Sequence, residues 1–293
     1  MRRSKRPQGG RRNLLCATLC AAAFFAAAPS HARDIPARVV SMNVCTDQLA
    51  LLIAAPGQVV SLSHFATDPQ MSALASQARG YALNHGRAEE IYMLRPDLVL
   101  ADVWSSPATV GMLRRLGVPV EQFPPGVSVE EIRRRISRMG EVLGREARAA
   151  EVLAGFDAAL AAIKRPATAP RAAVYGAGGY GYGPATLEGQ ILSLAGFANV
   201  VSGPGLERGG RMSLERLVME APDLVIAGAE VNVPKGESRA QEILHHPALA
   251  ALPRVQGLRD ARWVCGAPAM LEAVADLAAV GRQIESEKIK GKQ

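Results

Sequence analysis

The chain has 293 residues, with 34 Lys and Arg, 27 Asp and Glu, and a formal net charge of +7. It is 48% hydrophobic and 21% charged, which excludes wholesale disorder, and its length fits about two domains of ordinary size. The basic excess does not imply a nucleic-acid partner: Arg2, Arg3, Lys5, Arg6, Arg11 and Arg12 all lie in residues 1–32, which hold no acid, and the remaining 28 basic and 27 acidic residues nearly cancel.

In chain order, residues 1–32 read as a cleavable signal peptide. A basic segment precedes the apolar run Leu14 to Ala28, and Pro29-Ser30-His31-Ala32 offers small residues for cleavage after Ala32. The run is about 15 residues, short of the ~20 that a spanning helix needs. Arg11-Arg12 leaves general and twin-arginine export both open. No small residue sits just ahead of Cys16 or Cys20, as a lipidated cysteine requires, and both leave with the signal. The mature chain is expected in the periplasm, as a monomer, keeping Cys45 and Cys265 in an oxidising compartment.

The body alternates strands and helices. Arg38–Ser41, Gln58–Ser61, Leu98–Ala101 and Val118–Val120 read as strands, and Thr46–Ala54, Ala88–Leu94 and Pro107–Leu116 as helices. Val129–Leu143 and Arg145–Ile163 carry apolar residues at helical spacing, and Pro166 stops the second. Strands then follow at Ala172–Tyr175, Leu224–Ala227 and Arg262–Val264. Helices follow at Thr186–Ala195, Ser213–Glu220, Gln241–Leu252 around Pro247, and Met270–Ile289. The alternation predicts an α/β fold: two Rossmann-like lobes with parallel sheets, bridged by a single long α-helix. The boundaries are 33–144 for the N-terminal lobe, 145–166 for the linking helix and 167–293 for the C-terminal lobe.

An internal repeat supports the two lobes. Glu89-Glu90-Ile91-Tyr92-Met93-Leu94-Arg95-Pro96-Asp97-Leu98-Val99-Leu100 parallels Glu215-Arg216-Leu217-Val218-Met219-Glu220-Ala221-Pro222-Asp223-Leu224-Val225-Ile226. In each, a Glu opens a helix seven residues before a Pro-Asp that opens a buried strand.

The export signal, the opening Arg-Val-Val-Ser strand, the two Glu…Pro-Asp-Leu-Val motifs and the helix between them together resemble the periplasmic substrate-binding proteins of ABC importers for ferric siderophores, haem and cobalamin. The likeness runs from about Arg38 to Ile284. It implies a ligand held in a cleft between lobes that move little, because a continuous helix resists hinging. It also implies docking of one surface Glu per lobe, here Glu89 and Glu215, onto arginines of an inner-membrane permease dimer. Glu90 is the neighbouring alternative to Glu89. A carboxylate in a helix's first turn is favoured by the dipole and accepts a bidentate Arg, although many Glu residues merely stabilise helix starts.

Ligands of open parallel sheets bind beyond the carboxyl ends of the strands. That rule selects Asn43, Cys45, Thr46, His64, Phe65, His85 and Trp104 in the first lobe, and Tyr180, Tyr182, Arg208, Trp263 and Cys265 in the second. The loop Ala229 to Asn232 lies on the same side. Aromatic walls with a few polar anchors suit a large planar chelate, while each Trp is equally readable as core at a strand end. Cys45 and Cys265 have three readings: two unrelated small core residues, the simplest; a disulfide locking the lobes; or soft metal or haem ligands.

His64 and His85 suggest a bare zinc or manganese ion as an alternative cargo, but no spacing resembles a metal site, and His245-His246 point to different helix faces. Gly176-Ala177-Gly178-Gly179-Tyr180-Gly181 formally fits a dinucleotide loop. No helix opens inside it, so an exported α/β enzyme is the weaker alternative, and the segment reads as a flexible cleft wall. An adhesion module would not explain the duplicated lobes. The expectation is a binding protein without catalytic residues, resident metal or cofactor, whose ligand is a metal chelate. A single cleft Arg, Arg208, disfavours a strongly anionic catecholate and leaves cobalamin slightly favoured.

Overall fold

The computed structural model describes residues 35–227, 242–255 and 259–291. The expected signal peptide, the loop Ala229 to Asn232 and the start of the expected Gln241 helix lie outside these residues.

The first lobe is built on β1 (Val39–Ser41), β2 (Val59–Ser63), β3 (Ala82–Asn84), β4 (Leu98–Asp102) and β5 (Val120–Phe123). They form one parallel sheet in the order β3-β2-β1-β4-β5. Helices α1 (Val44–Ile53), α2 (Ala88–Met93) and α3 (Pro107–Arg115) make the crossovers. Strands β1 and β4 are buried throughout, as the continuous apolar runs of a sheet covered on both faces must be. β3 was not expected from the sequence.

The chain leaves this sheet through α4 (Val129–Leu143) and α5 (Glu146–Ala162). α4 starts with a complete capping box, in which Ser128 accepts from the Glu131 N–H and Glu131 accepts from the Ser128 N–H. It ends at Gly144 in the left-handed region. α5, at 17 residues about 25 Å long, packs on α4, on α1 and on the closing helix Met270–Lys290. The α4–α5 contact is close enough that a Cβ on Gly140 would lie 2.5 Å from Ala149 Cβ.

The second sheet corrects the expectation of two parallel sheets. Its order is β11-β10-β6-β7-β9, with β8 also on β6. Strands β6 (Arg171–Gly176), β8 (Ala198–Asn199), β10 (Leu224–Ala227) and β11 (Arg254–Val255) run parallel, but β7 (Tyr180–Gly181) is antiparallel to both β6 and β9 (Gly210–Arg211). The Gly-rich segment makes this reversal. Gly178 and Gly179 take positive φ, and the chain folds back as a hairpin. It is a packed element and not a loose wall, because a Cβ on Gly183 would overlap the Leu206 carbonyl and one on Gly181 would lie 2.8 Å from Val201 Cγ1. α6 (Leu187–Leu194), capped by Thr186, and α7 (Leu214–Met219), capped by Ser213, complete the lobe.

Two further elements differ from expectation. The helix around Pro247 is split: His246 is extended, as the residue before proline tends to be, and its ring caps Pro247–Ala250 by accepting from the Ala248 N–H. Arg262–Val264 is no strand. Asp260 accepts from the Arg262 N–H and its guanidinium, which winds Ala261–Trp263 into a 3₁₀ turn.

The repeat has a three-dimensional counterpart. In the first lobe, Arg38 donates to the carbonyls of Leu94 and Arg95, closing the end of α2, while Asp97 accepts from the Arg38 N–H. In the second, Arg171 donates to the Glu220 carbonyl at the end of α7, and Asp223 accepts from the Arg171 N–H. Among the described residues, Arg95 (φ 49°) and Ala221 (φ 43°) are the non-glycine residues with positive φ, and they occupy equivalent positions.

One cluster of buried apolar residues runs through both lobes, from Val39 and Leu49 through Met139, Ala149 and Phe156 to Val174, Ile191 and Met270. Filling the α4–α5 contact is expected to loosen it. Gly140→Ala should lower unfolding free energy by about 1–3 kcal/mol, read as a lower urea midpoint at unchanged slope.

Candidate functional site

The carboxyl edge of the first sheet faces the second lobe. Cys45, in the first turn of α1, forms a disulfide with Cys265, with Cα atoms 5.4 Å apart. Around it, Val44 and Met71 pack with Ala267, and the Gly126 and Gly266 backbones touch so closely that a Cβ on Gly266 would overlap the Gly126 carbonyl. The reading as two unrelated core residues is thereby overturned, as is the reading as thiolate ligands. Bonded sulfurs do not ligate.

Above this floor stand the residues following β2 and β3. The His64 ring lies 3.8 Å from that of Phe65, centroid to centroid, and stacks on His85 at 4.9 Å. Glu90 holds His85 from below, accepting its N–H at 2.8 Å and lying 3.2 Å from its Nδ1. Burial, the largest single influence, pushes the Glu90 pKa up, but the backbone N–H and imidazole of His85, with the charge of Arg87, together outweigh it and hold Glu90 below the usual carboxylate range. The arrangement leaves Nε2 of an exposed imidazole free of the carboxylate. Glu90 is therefore occupied inside its own lobe. Glu89 is exposed and forms no ion pair among the described residues.

The remaining first-lobe candidates divide. Trp104 is 78% exposed just past β4, its N–H held by Asp102. Asn43 caps α1 through the Cys45 N–H. Thr46 is fully buried, its hydroxyl shared between Ser41 and the Asn43 carbonyl, so it presents nothing to a ligand. Beneath these lie two residues the sequence did not single out. Asn84 donates to the Ser41 and Leu62 carbonyls and to the Ser61 hydroxyl, tying three strand ends together. Asp47 accepts from the Ser63 hydroxyl at 2.5 Å and the Ser63 N–H at 3.2 Å, and burial pushes its pKa up to about 7.

In the second lobe Tyr180 and Tyr182 meet edge to face at 5.1 Å, and the Tyr180 hydroxyl donates to the Arg208 carbonyl. The Arg208 side chain is exposed. Arg259 lies over the Tyr182 ring, 4.7 Å from its centroid, and pairs with Glu188 at 2.8 Å. Burial raises the Glu188 pKa, and Arg259 opposes that rise. Only spatial folding brings Arg259 to this wall; no spacing in the sequence announces it. Trp263 is 2% exposed within the shared core, which removes it from the cleft. Glu215 is exposed at the start of α7, and its own N–H and the Ser213 hydroxyl hold it below the usual carboxylate range.

The structure thus groups His64, Phe65 and His85 in the first lobe and Tyr180, Tyr182 and the Arg208 backbone in the second, and joins the lobes through the two cysteines. Glu89 and Glu215 sit at equivalent places on α2 and α7.

This architecture is that of a two-lobe solute-binding protein. A family model described as periplasmic binding protein matches residues 39–257, and the chain belongs to that family. Among curated proteins, the ferric enterobactin-binding periplasmic protein FepB of Escherichia coli O6:H1 is 28% identical over 243 residues, covering 75% of this chain and 76% of that one. Among solved structures, the periplasmic heme-binding protein RhuT from Roseiflexus sp. RS-1 matches with a TM-score of 0.67 at 20% identity, covering 84% of this chain and 98% of that one. The vitamin B12 binding protein BtuF of Vibrio cholerae matches with a TM-score of 0.59 at 17% identity, covering 86% and 98%.

The disulfide closes a loop with a sequence separation of 220, for which chain entropy predicts about 5 kcal/mol and typical measurements give 2–4. Cys45→Ser/Cys265→Ser should lower the melting temperature markedly, and a reductant should do so only in the parent protein. Asp47 has a sign of its own. With its folded pKa raised from 3.8 to about 7, the unfolded chain releases this proton first. Its contribution to stability therefore falls as pH rises from about 4 to about 7, by up to ~1.4 kcal/mol per unit, and is level above. Urea titrations of Asp47→Asn across that range should show a shallower decline than the parent.

Proposed function

We propose that the protein is the periplasmic capture component of an ABC importer, delivered by the signal peptide of residues 1–32 and carrying a metal chelate between its lobes. The observation that carries this reading is the pairing of an aromatic and imidazole cluster at one carboxyl edge (His64, Phe65, His85, with Trp104 exposed nearby) with the Tyr180–Tyr182–Arg259 wall of the other lobe. Rings offer area to a large planar or macrocyclic ligand. His64, His85 and Arg208 supply the few polar anchors. A bare ion is less well served: it needs about four convergent donors, both cysteines are bonded, and no group of three or more His, Cys, Asp and Glu able to hold a metal lies among the described residues.

The chemistry is binding and release, without a bond made or broken. The floor between the lobes is a disulfide and a backbone contact, so capture uses a largely preformed cleft and moves the lobes little. Delivery uses Glu89 and Glu215, each offered on a short helix to an arginine of one permease subunit. The names of the relatives, ferric enterobactin, haem and vitamin B12 binders, support a chelate as cargo.

The test is a thermal-shift and absorbance panel of the mature protein with cobalamin, haem, ferric hydroxamate and ferric catecholate complexes, and zinc and manganese ions. One chelate should raise the melting temperature by several degrees, since a ligand that binds only the folded state stabilises it. A response to bare ions alone would overturn the reading. Charge reversal of Glu89 and Glu215 together should abolish uptake and leave the affinity for that chelate unchanged.

A further inference from the structure

The two docking helices share more than their glutamates. Met93 is 78% exposed and Met219 is 85% exposed, and each lies four residues after its Glu. Residues four apart share a helix face, so each Glu and its Met form one patch. Tyr92 and Val218, at equivalent positions, are also exposed. These exposures do not come from poorly packed helices. Ala88 and Ile91 of α2, and Leu214 and Leu217 of α7, are buried at matching positions, so both helices already have a complete apolar face against their own sheets. The Met residues form a second apolar face, turned to solvent.

The backbone reproduces the patch in both lobes. Arg38 closes α2 and Arg171 closes α7 through the same kind of carbonyl contact, and each helix is followed by a left-handed non-glycine residue, Arg95 or Ala221. One lobe with an exposed Met would be an ordinary surface accident. The same Glu–Met pair at the same place on the same clamped helix, twice, is a surface with two copies.

We propose, resting on the importer reading above, that each lobe docks through a paired contact. Glu89 and Glu215 meet a cation, while Met93 with Tyr92, and Met219 with Val218, enter an apolar pocket beside it. The partner that fits is a permease dimer, because a two-fold partner can meet both copies of the patch at once. A thioether side chain suits this role, since it is flexible, adapts to the pocket and is released again after delivery. The two halves of the contact act on different rates. A solvent-exposed charge mainly steers association and is screened by salt, whereas the apolar anchor is buried only in the complex and sets dissociation.

The experiment measures binding of the full mature protein to the permease–ATPase complex of its importer in lipid nanodiscs, by surface plasmon resonance. Met93→Gln and Met219→Gln each preserve length and remain on the surface, and unchanged melting temperatures establish that they fold. Each should raise the dissociation rate about tenfold with association within about twofold, and the double variant should raise it further. Glu89→Gln and Glu215→Gln should instead slow association and flatten its salt dependence. If the Gln variants at 93 and 219 bind as the parent does while the Glu variants are impaired, the apolar contact is wrong and the docking reading stands. If neither set matters, the docking reading itself fails. Two controls also overturn the proposal. One is self-association of the parent in sedimentation that Met93→Gln/Met219→Gln abolishes. The other is binding to protein-free nanodiscs that the same variant loses, which would assign the faces to a second copy or to lipid.

Discussion

The position of both surface helices depends on one arrangement: an arginine at the start of a strand reaching the carbonyls that end the helix, while the aspartate of the following Pro-Asp accepts the N–H of that same arginine. The last carbonyls of a helix have no partner within it, and a guanidinium satisfies several at once and complements the negative end of the dipole. The arrangement also holds an unfavourable backbone. Arg95 and Ala221 are in the left-handed region and precede proline, a conformation that costs about 1–2 kcal/mol for a residue with a Cβ. It persists because Arg and Asp fix the turn from both sides. That is why a short helix of six residues, which would not survive alone, is a defined platform in each lobe.

The second constraint lies between the lobes. A disulfide, a glycine-to-glycine backbone contact and a continuous apolar core join the two sheets at the base of the cleft. Opening the lobes widely would have to break the shared core around Met139, Phe156 and Met270, a large loss of buried apolar surface. The side chains at the rim, where the proposed ligand site lies, rest on buried supports. Asn84 fixes the strand ends, Asp47 fixes the turn before His64, and Glu90 fixes His85.

Much of this was legible in the sequence because its causes are local. Continuous apolar runs marked β1, β4, β6 and β10. Helical spacing bounded α4, and Thr186 and Ser213 stand as the caps of α6 and α7. The repeated Glu…Pro-Asp motif located both surface helices. What stayed hidden is set by long-range contacts. β3 has three residues and an unremarkable composition, and becomes a strand because β2 offers it an edge. The hairpin from β6 to β7 looked like a loose glycine stretch, since composition cannot distinguish glycine used for freedom from glycine used for close approach. Trp104 follows an apolar run and Trp263 sits within a segment that reads as a short strand, and only the fold separates the exposed one from the buried one. The cysteines are 220 positions apart, and their pairing rests on the two lobes meeting.

The surface helix of the first lobe, α2, also supports the proposed cleft. Adjacent residues on a helix point about 100° apart, so Glu89 faces solvent while Glu90 turns back to His85. The second lobe uses the same position differently: Arg216, which follows Glu215, donates to the Ser202 carbonyl and anchors α7 to a loop. The two surfaces are thus alike outside and unlike inside. Through Glu90, α2 is tied to an imidazole of the proposed site, whereas α7 is tied through Arg216 to a loop without such a ring.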